Sequence, residues 1–438
     1  MNTKEKLNCS DQQHKAIAYL RTTTAIRERC DRLFNLACAD QLKYFRCNLD
    51  KLDAVANYVI EVMYDEYPDL NIPFHSRWRH FEVGNIGRLS ELESKLSGLS
   101  PIEKAQTKFD LAIISVLLDA GAGASWQYQE PQTGLVFSRS EGLAVASFRM
   151  FCEGAFSSNS NPLQADAEGL QQLTTKKLAQ AFQVSEQNPL LGLEGRVKLL
   201  QKLGQVLVSL PEFFGTQNAR PGNLVNYLIA KSDSMPSLTG GVGGWGLQEV
   251  APVKQQLAAT TVLSAVLAGL GNIWSGRLTI DGVNLGDVWL HSALVGSHPS
   301  DQYVPFHKLS QWLTYSLLEP LQELGLEITG LDEMTGLSEY RNGGLCLDLG
   351  LLEVKDIAIL EKRHLPSSEV IVEWRALTVS LLDKIAATIR QQLHQNSTEL
   401  PLVKILQGGT WTAGRRIANQ LRSGGVPPLQ IESDGTVF

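Results

Sequence analysis

Apolar residues in this chain recur at helical spacing, and that periodicity restricts it to a mainly helical fold. In the clearest case, Phe306, Leu309, Leu313, Leu317, Leu321 and Leu324 fall on one helical face. Gly325 supplies a stop, and Pro320 predicts a kink or break before it. Similar spacing predicts helices over 16–42, 51–67, 102–118, 253–274 and 378–393, with Pro68 closing the second and Pro101 opening the third. Gly408 and Gly409 are expected to break the chain near its end. Strand signals are short: Arg277 to Ile280 before an Asp281-Gly282 turn, and a terminal hairpin at Asp434-Gly435. The expected fold class is mainly α, a multi-helical globular fold with a few short strands. By length it divides into an N-terminal helical region 1–160, a helical insertion with a Gly-rich loop 161–300, and a C-terminal helical region 301–438, or it forms one compact unit.

A formal net charge of −7 argues against non-specific binding to polymeric nucleic acid, but leaves room for a local pocket for one phosphate. The partner expected is therefore a small molecule. The cysteines, at 9, 30, 38, 47, 152 and 346, form no Cys-x-x-Cys pair and have no histidine at zinc-ligand spacing, so neither a metal nor another cofactor is expected. No run of about 18 apolar residues is present, so no membrane span is expected. The polar start lacks an apolar signal segment, which makes a reduced cytoplasm the expectation. Oligomeric state is open.

Several polar clusters are candidates for chemistry. His75-Ser76-Arg77-Trp78-Arg79-His80 reads as a substrate loop with Arg77 and Arg79 as anion contacts, or as a surface loop with snorkelling arginines. The helix over 102–118 delivers Asp119 into Ala120-Gly121-Ala122-Gly123, where small residues allow close approach, with Trp126 and Tyr128 as flat walls. Thr239 to Gly246 is the most glycine-dense stretch, a lid or a plain connection. Asp287 and His291, four apart, would share a helical face as a proton relay or a structural pair. Ser338 can cap a helix starting at Glu339, where the helix dipole would favour the ionised carboxylate. Ser367-Ser368-Glu369 opens another helix carrying Glu373 and Arg375.

Taken together, His75 to Phe81, Leu118 to Ala124, Ser140-Glu141-Gly142-Leu143, Glu339 to Gly344, Gln407 to Trp411 and Ser433 to Phe438 resemble the uracil catabolism protein four family, a domain of unknown function. The resemblance covers nearly the whole chain. It implies a place in a pathway where uracil becomes a ribonucleotide, its ring is opened, and ribosylurea-type compounds follow. A shorter similarity is to the queuosine-nucleoside N-glycosylase family. It is carried by Phe306 to Gln311, Glu339-Tyr340-Arg341 and Glu369 to Ala376. That resemblance implies a helical core related to DNA glycosylases, a catalytic carboxylate at Glu339 and a phosphate contact at Lys308. Here Glu replaces the family's Asp and is one methylene longer.

The implied activity is hydrolysis of the N-ribosidic bond of a ribosylurea-type or uracil-derived nucleoside or nucleotide. A carboxylate beside C1′ stabilises an oxocarbenium-like ribose or activates water. Glu339 is the candidate, and Asp119, His291 and Glu373 are candidates for holding the departing group. Lys308 and Arg341 would grip a 5′-phosphate, and Trp126 would wall the base. His307, His75, Arg77, Arg375 and Glu373 complete the substrate contacts. Two alternatives stay open: an amidohydrolase-like step on a ureido intermediate, and a non-catalytic pyrimidine-nucleotide-binding protein.

Overall fold

The computed structural model describes residues 3–123, 125–234, 255–274, 276–296 and 298–432. The glycine-dense stretch Thr239 to Gly246 and the turn at Asp434-Gly435 lie outside them. The fold is mainly α, with short paired strands. Helix Glu369–Leu393 runs through the interior and packs on Thr23–Cys38 and Leu52–Glu66. Helix Lys308–Glu323 packs on Pro101–Leu117 and Ala259–Leu270. One apolar cluster, from Ile26 to Leu429, draws on all three stretches of the chain.

Local chemistry sets the helix ends. Ser100 and Glu103 form a reciprocal capping box, with Pro101 in the first helical position of Pro101–Leu117. The helix expected over 16–42 is instead two, Thr3–Leu20 and Thr23–Cys38. Thr22 starts the second by accepting from the Ala25 N–H at 3.1 Å. Pro320 does not break Lys308–Glu323, which runs on to Gly325 at φ 90°. The carbonyl that Pro320 deprives of an N–H, that of Ser316, accepts instead from Trp78 Nε1 at 2.6 Å.

Asp281 (φ 50°) and Gly282 (φ 74°) turn the hairpin Thr279–Ile280/Val283–Asn284, as an Asp-Gly turn with two left-handed residues should. Asp287 and His291 do not share a helix. Val288–Leu290 is a strand paired with Tyr303–Pro305, and its flanking side chains reach different partners. Gly408 and Gly409 do not interrupt the chain either. Leu406–Thr410 widens into a π-helical turn that joins Leu402–Ile405 to Trp411–Leu421. Glycine fits there because a Cβ on Gly409 would lie 2.6 Å from Val59 Cγ1.

Candidate functional site

The site grows from the start of helix Lys308–Glu323. His307 takes a left-handed φ of 46°, and its Nε2 lies 2.9 Å from the Leu20 carbonyl. The Lys308 N–H then donates to Asp287 Oδ2 at 3.0 Å. Arg375 clamps the same carboxylate, Nη1 to Oδ1 at 2.8 Å and Nη2 to Oδ2 at 2.7 Å, and Trp289 Nε1 donates to Oδ1 at 2.7 Å. Burial pushes the Asp287 carboxyl up, but Arg375 and these N–H donors outweigh it and hold the group well below the usual carboxylate range. Asp287, His307, Lys308, Arg375 and Asp119 line a recess together with Trp274 and Leu267.

Lys308 brings a charge without an ion pair to this recess. Its ammonium makes no hydrogen bond or ion pair among the described residues, and lies 5.8 Å from the Trp312 ring centroid, one turn on. Burial pulls the ammonium below the usual lysine range, and Glu339, then Asp119, are the strongest charges opposing that shift. Glu339 is 7% exposed, makes no ion pair with Lys308 among the described residues, and does not itself line the recess.

Glu339 itself caps the helix Tyr340–Asp348: Oε2 accepts from the Arg341 N–H at 2.8 Å and Oε1 from the Asn342 N–H at 2.6 Å. Ser338, expected in that role, keeps a buried hydroxyl with no partner. The expected ionisation preference is also reversed. Burial pushes the Glu339 carboxyl up, against the pull of Lys308 and of the two backbone donors. Gly343 lets this helix touch Trp374, because a Cβ would lie 2.7 Å from Trp374 Cε2.

Asp119 is held from two sides. Arg77 Nη1 donates to its Oδ2 at 3.0 Å and Ser140 Oγ to its Oδ1 at 2.8 Å. Arg77 is fully buried, not a surface arginine. Its Nε donates to Ser115 Oγ at 2.7 Å, and Nη1 also reaches His80 Nδ1 at 3.2 Å. The buried Arg196 collects carbonyls at the end of helix Pro101–Leu117. Nε donates to Leu118 O at 3.2 Å, and Nη2 to Gly121 O at 3.2 Å and to Ala120 O. Burial pulls its guanidinium down to about 10.

Beyond Lys308 lies a ring of aromatic groups. The His75 ring is 6.4 Å from Trp312 and 5.9 Å from Trp411, and the His80 ring 5.5 Å and 6.0 Å from the same indoles. The π-helical turn places both Trp411 and Gln407, whose Oε1 sits 2.9 Å from His75 Nδ1.

The remaining candidates are engaged elsewhere. Trp126 stacks on Phe182 and donates to its carbonyl at 3.0 Å, and is not among the residues lining the recess. Glu373 accepts from Phe45 N at 2.8 Å and Tyr44 N at 3.1 Å, and lies 3.4 Å from His291 Nε2. Arg341 donates to the Gly425 carbonyl at 2.7 Å and stacks on Tyr340. Sequence reasoning named His80 and Trp411 only within longer strings and gave no role of their own to these two, to Trp312 or to Arg196. Trp312 alone carried a signal, four residues after Lys308 on the same helical face. Among the described residues no three His, Cys, Asp or Glu side chains gather as a metal-ligand set, and no helix is long and apolar enough to cross a membrane.

Residues 19–438 match the family described as Protein of unknown function (DUF1688). The chain is 40% identical to Protein urg3 of Schizosaccharomyces pombe, over 97% of this chain and 99% of that protein. It is 37% identical to Uracil catabolism protein 4 of Lachancea kluyveri, over 96% of this chain and 99% of that protein. Matched across this length and at this identity, the chain belongs to the DUF1688 family.

Proposed function

We propose that this protein acts in uracil catabolism and hydrolyses the N-ribosidic bond of a ribosylurea-type or uracil-derived nucleoside or nucleotide. The pathway follows from the name of the Lachancea relative. The observation that carries the chemistry is the Lys308 ammonium on the recess wall, without an ion pair among the described residues, with the buried Glu339 carboxylate as the strongest charge acting on it. Lys308 grips the sugar's 5′-phosphate. Glu339 stabilises positive charge at C1′ as the bond to nitrogen breaks. Water adds its oxygen to C1′, and one of its protons ends on the departing group. Low local dielectric strengthens both interactions.

The test is incubation of the purified protein with ribosylurea and its 5′-phosphate, following ribose or ribose 5-phosphate by mass spectrometry. Full release by Glu339→Gln would overturn the assignment. A binding-only reading draws on one specific observation: both Glu339 oxygens already accept backbone N–H groups. It calls for thermal stabilisation by these ligands with no turnover.

A further inference from the structure

We propose that the unpartnered Nε2 edges of His75 and His80, beside Trp312 and Trp411, form a subsite for a neutral, planar amide-type group. The ligand's carbonyl faces His80 and its N–H faces His75, as a ureido group or pyrimidine ring would allow. The proposal rests on reading Lys308 and Glu339 as the ribosyl side of the same site, since Trp312 borders Lys308 as well as both imidazoles.

Hydrogen-bond bookkeeping sets the polarity. A guanidinium has no acceptor, so His80 Nδ1 accepts from Arg77 Nη1, and the proton of the neutral ring sits on Nε2. The Gln407 amide oxygen has no proton, so His75 Nδ1 donates to it and its Nε2 keeps a lone pair. Neither Nε2 has a partner among the described residues, and neither is among the fully enclosed unpaired atoms. One donor and one acceptor therefore face reachable space, beside two indoles that offer flat apolar surface.

Both rings stay neutral: burial pulls His75 down to about 3, and burial with Arg77 pulls His80 down to about 4. Lys308 near His75, and Arg77 and Arg415 near His80, disfavour a cationic ligand. Glu141, held by Arg415, and Asp119, held by Arg77, offset those two arginine charges and so weaken any pull on an anionic one.

The experiment uses the full chain labelled with 15N-histidine. The free protein should show Nδ1–H on His75 and Nε2–H on His80. Titration with N-methylurea or uracil should shift both Nε2 signals, and His75→Phe and His80→Phe should each weaken uracil binding at least tenfold. Unmoved signals at saturating probe, the opposite tautomers, or folded variants that bind uracil within twofold of wild type would overturn the subsite. A separate arm measures ribose 5-phosphate binding with Lys308→Met. Undiminished binding there sinks the sugar-side reading, while shifts at the two imidazoles would still support the subsite.

Discussion

Trp78 Nε1 donates to the Ser316 carbonyl at 2.6 Å, taking the place of the N–H that Pro320 lacks. This bond ties the His75–Phe81 segment to the helix that carries Lys308 and Trp312. Trp78→Phe leaves the buried carbonyl unpartnered and should cost about 1–3 kcal/mol in urea unfolding. Pro320→Ala restores a backbone donor, so it should recover part of that loss in the Trp78→Phe background. A double-mutant cycle with no coupling would show that the indole does not replace the missing N–H.

Glu339→Gln separates chemistry from capping. The amide oxygen still accepts one backbone N–H, so stability should change by no more than about 1 kcal/mol. On the proposed chemistry ribose release should fall roughly a hundredfold or more, because the charge assigned to C1′ is removed. Parallel thermal melts and product assays read the two effects apart.

Lys308→Met should trade binding for stability. The ammonium is pulled below the usual lysine range by burial, so its charged form opposes folding at neutral pH. As pH rises through the lowered folded value toward the ordinary lysine value, the native ammonium loses its proton first and the penalty disappears. The variant should therefore melt higher than wild type at neutral pH, with the margin shrinking as pH approaches about 10. Its KM for a phosphorylated substrate should rise more than for the unphosphorylated one.

Asp287→Asn leaves the buried Arg375 without its carboxylate and should cost about 3–5 kcal/mol near neutral pH. The folded Asp287 carboxyl lies well below its ordinary value. Its contribution is thus fully present above about pH 4 and lost as pH falls toward the folded value. Denaturation from pH 7 to pH 3 should show the gap between wild type and variant narrowing at the acid end. A constant gap would remove Asp287 from the acid response.

Helical spacing made the fold class legible, because burial of one face repeats every three to four residues whatever the tertiary partner. Lys308 and Glu339 were singled out through motif order alone. The exchange of Ser338 for Glu339 as cap was not, since both can accept the same orphan N–H and only burial decides. The two-helix break at Thr22 was carried by a single hydroxyl. The engagement of Trp126 with Phe182 and of Glu373 with the Tyr44 and Phe45 backbone depends on segments distant in sequence, which periodicity does not report. The imidazole pair was visible as letters, but its polarity required the positions of Arg77 and Gln407.

Arg77 gives these parts a shared dependence. The nitrogen that grips Asp119 also dictates which edge of His80 carries hydrogen. Acid and imidazole are therefore wired through one cation. Neutralising Asp119 would loosen that cation and free the His80 proton to move, so damage to the carboxylate would surface as a lost distinction between the two ends of a ligand.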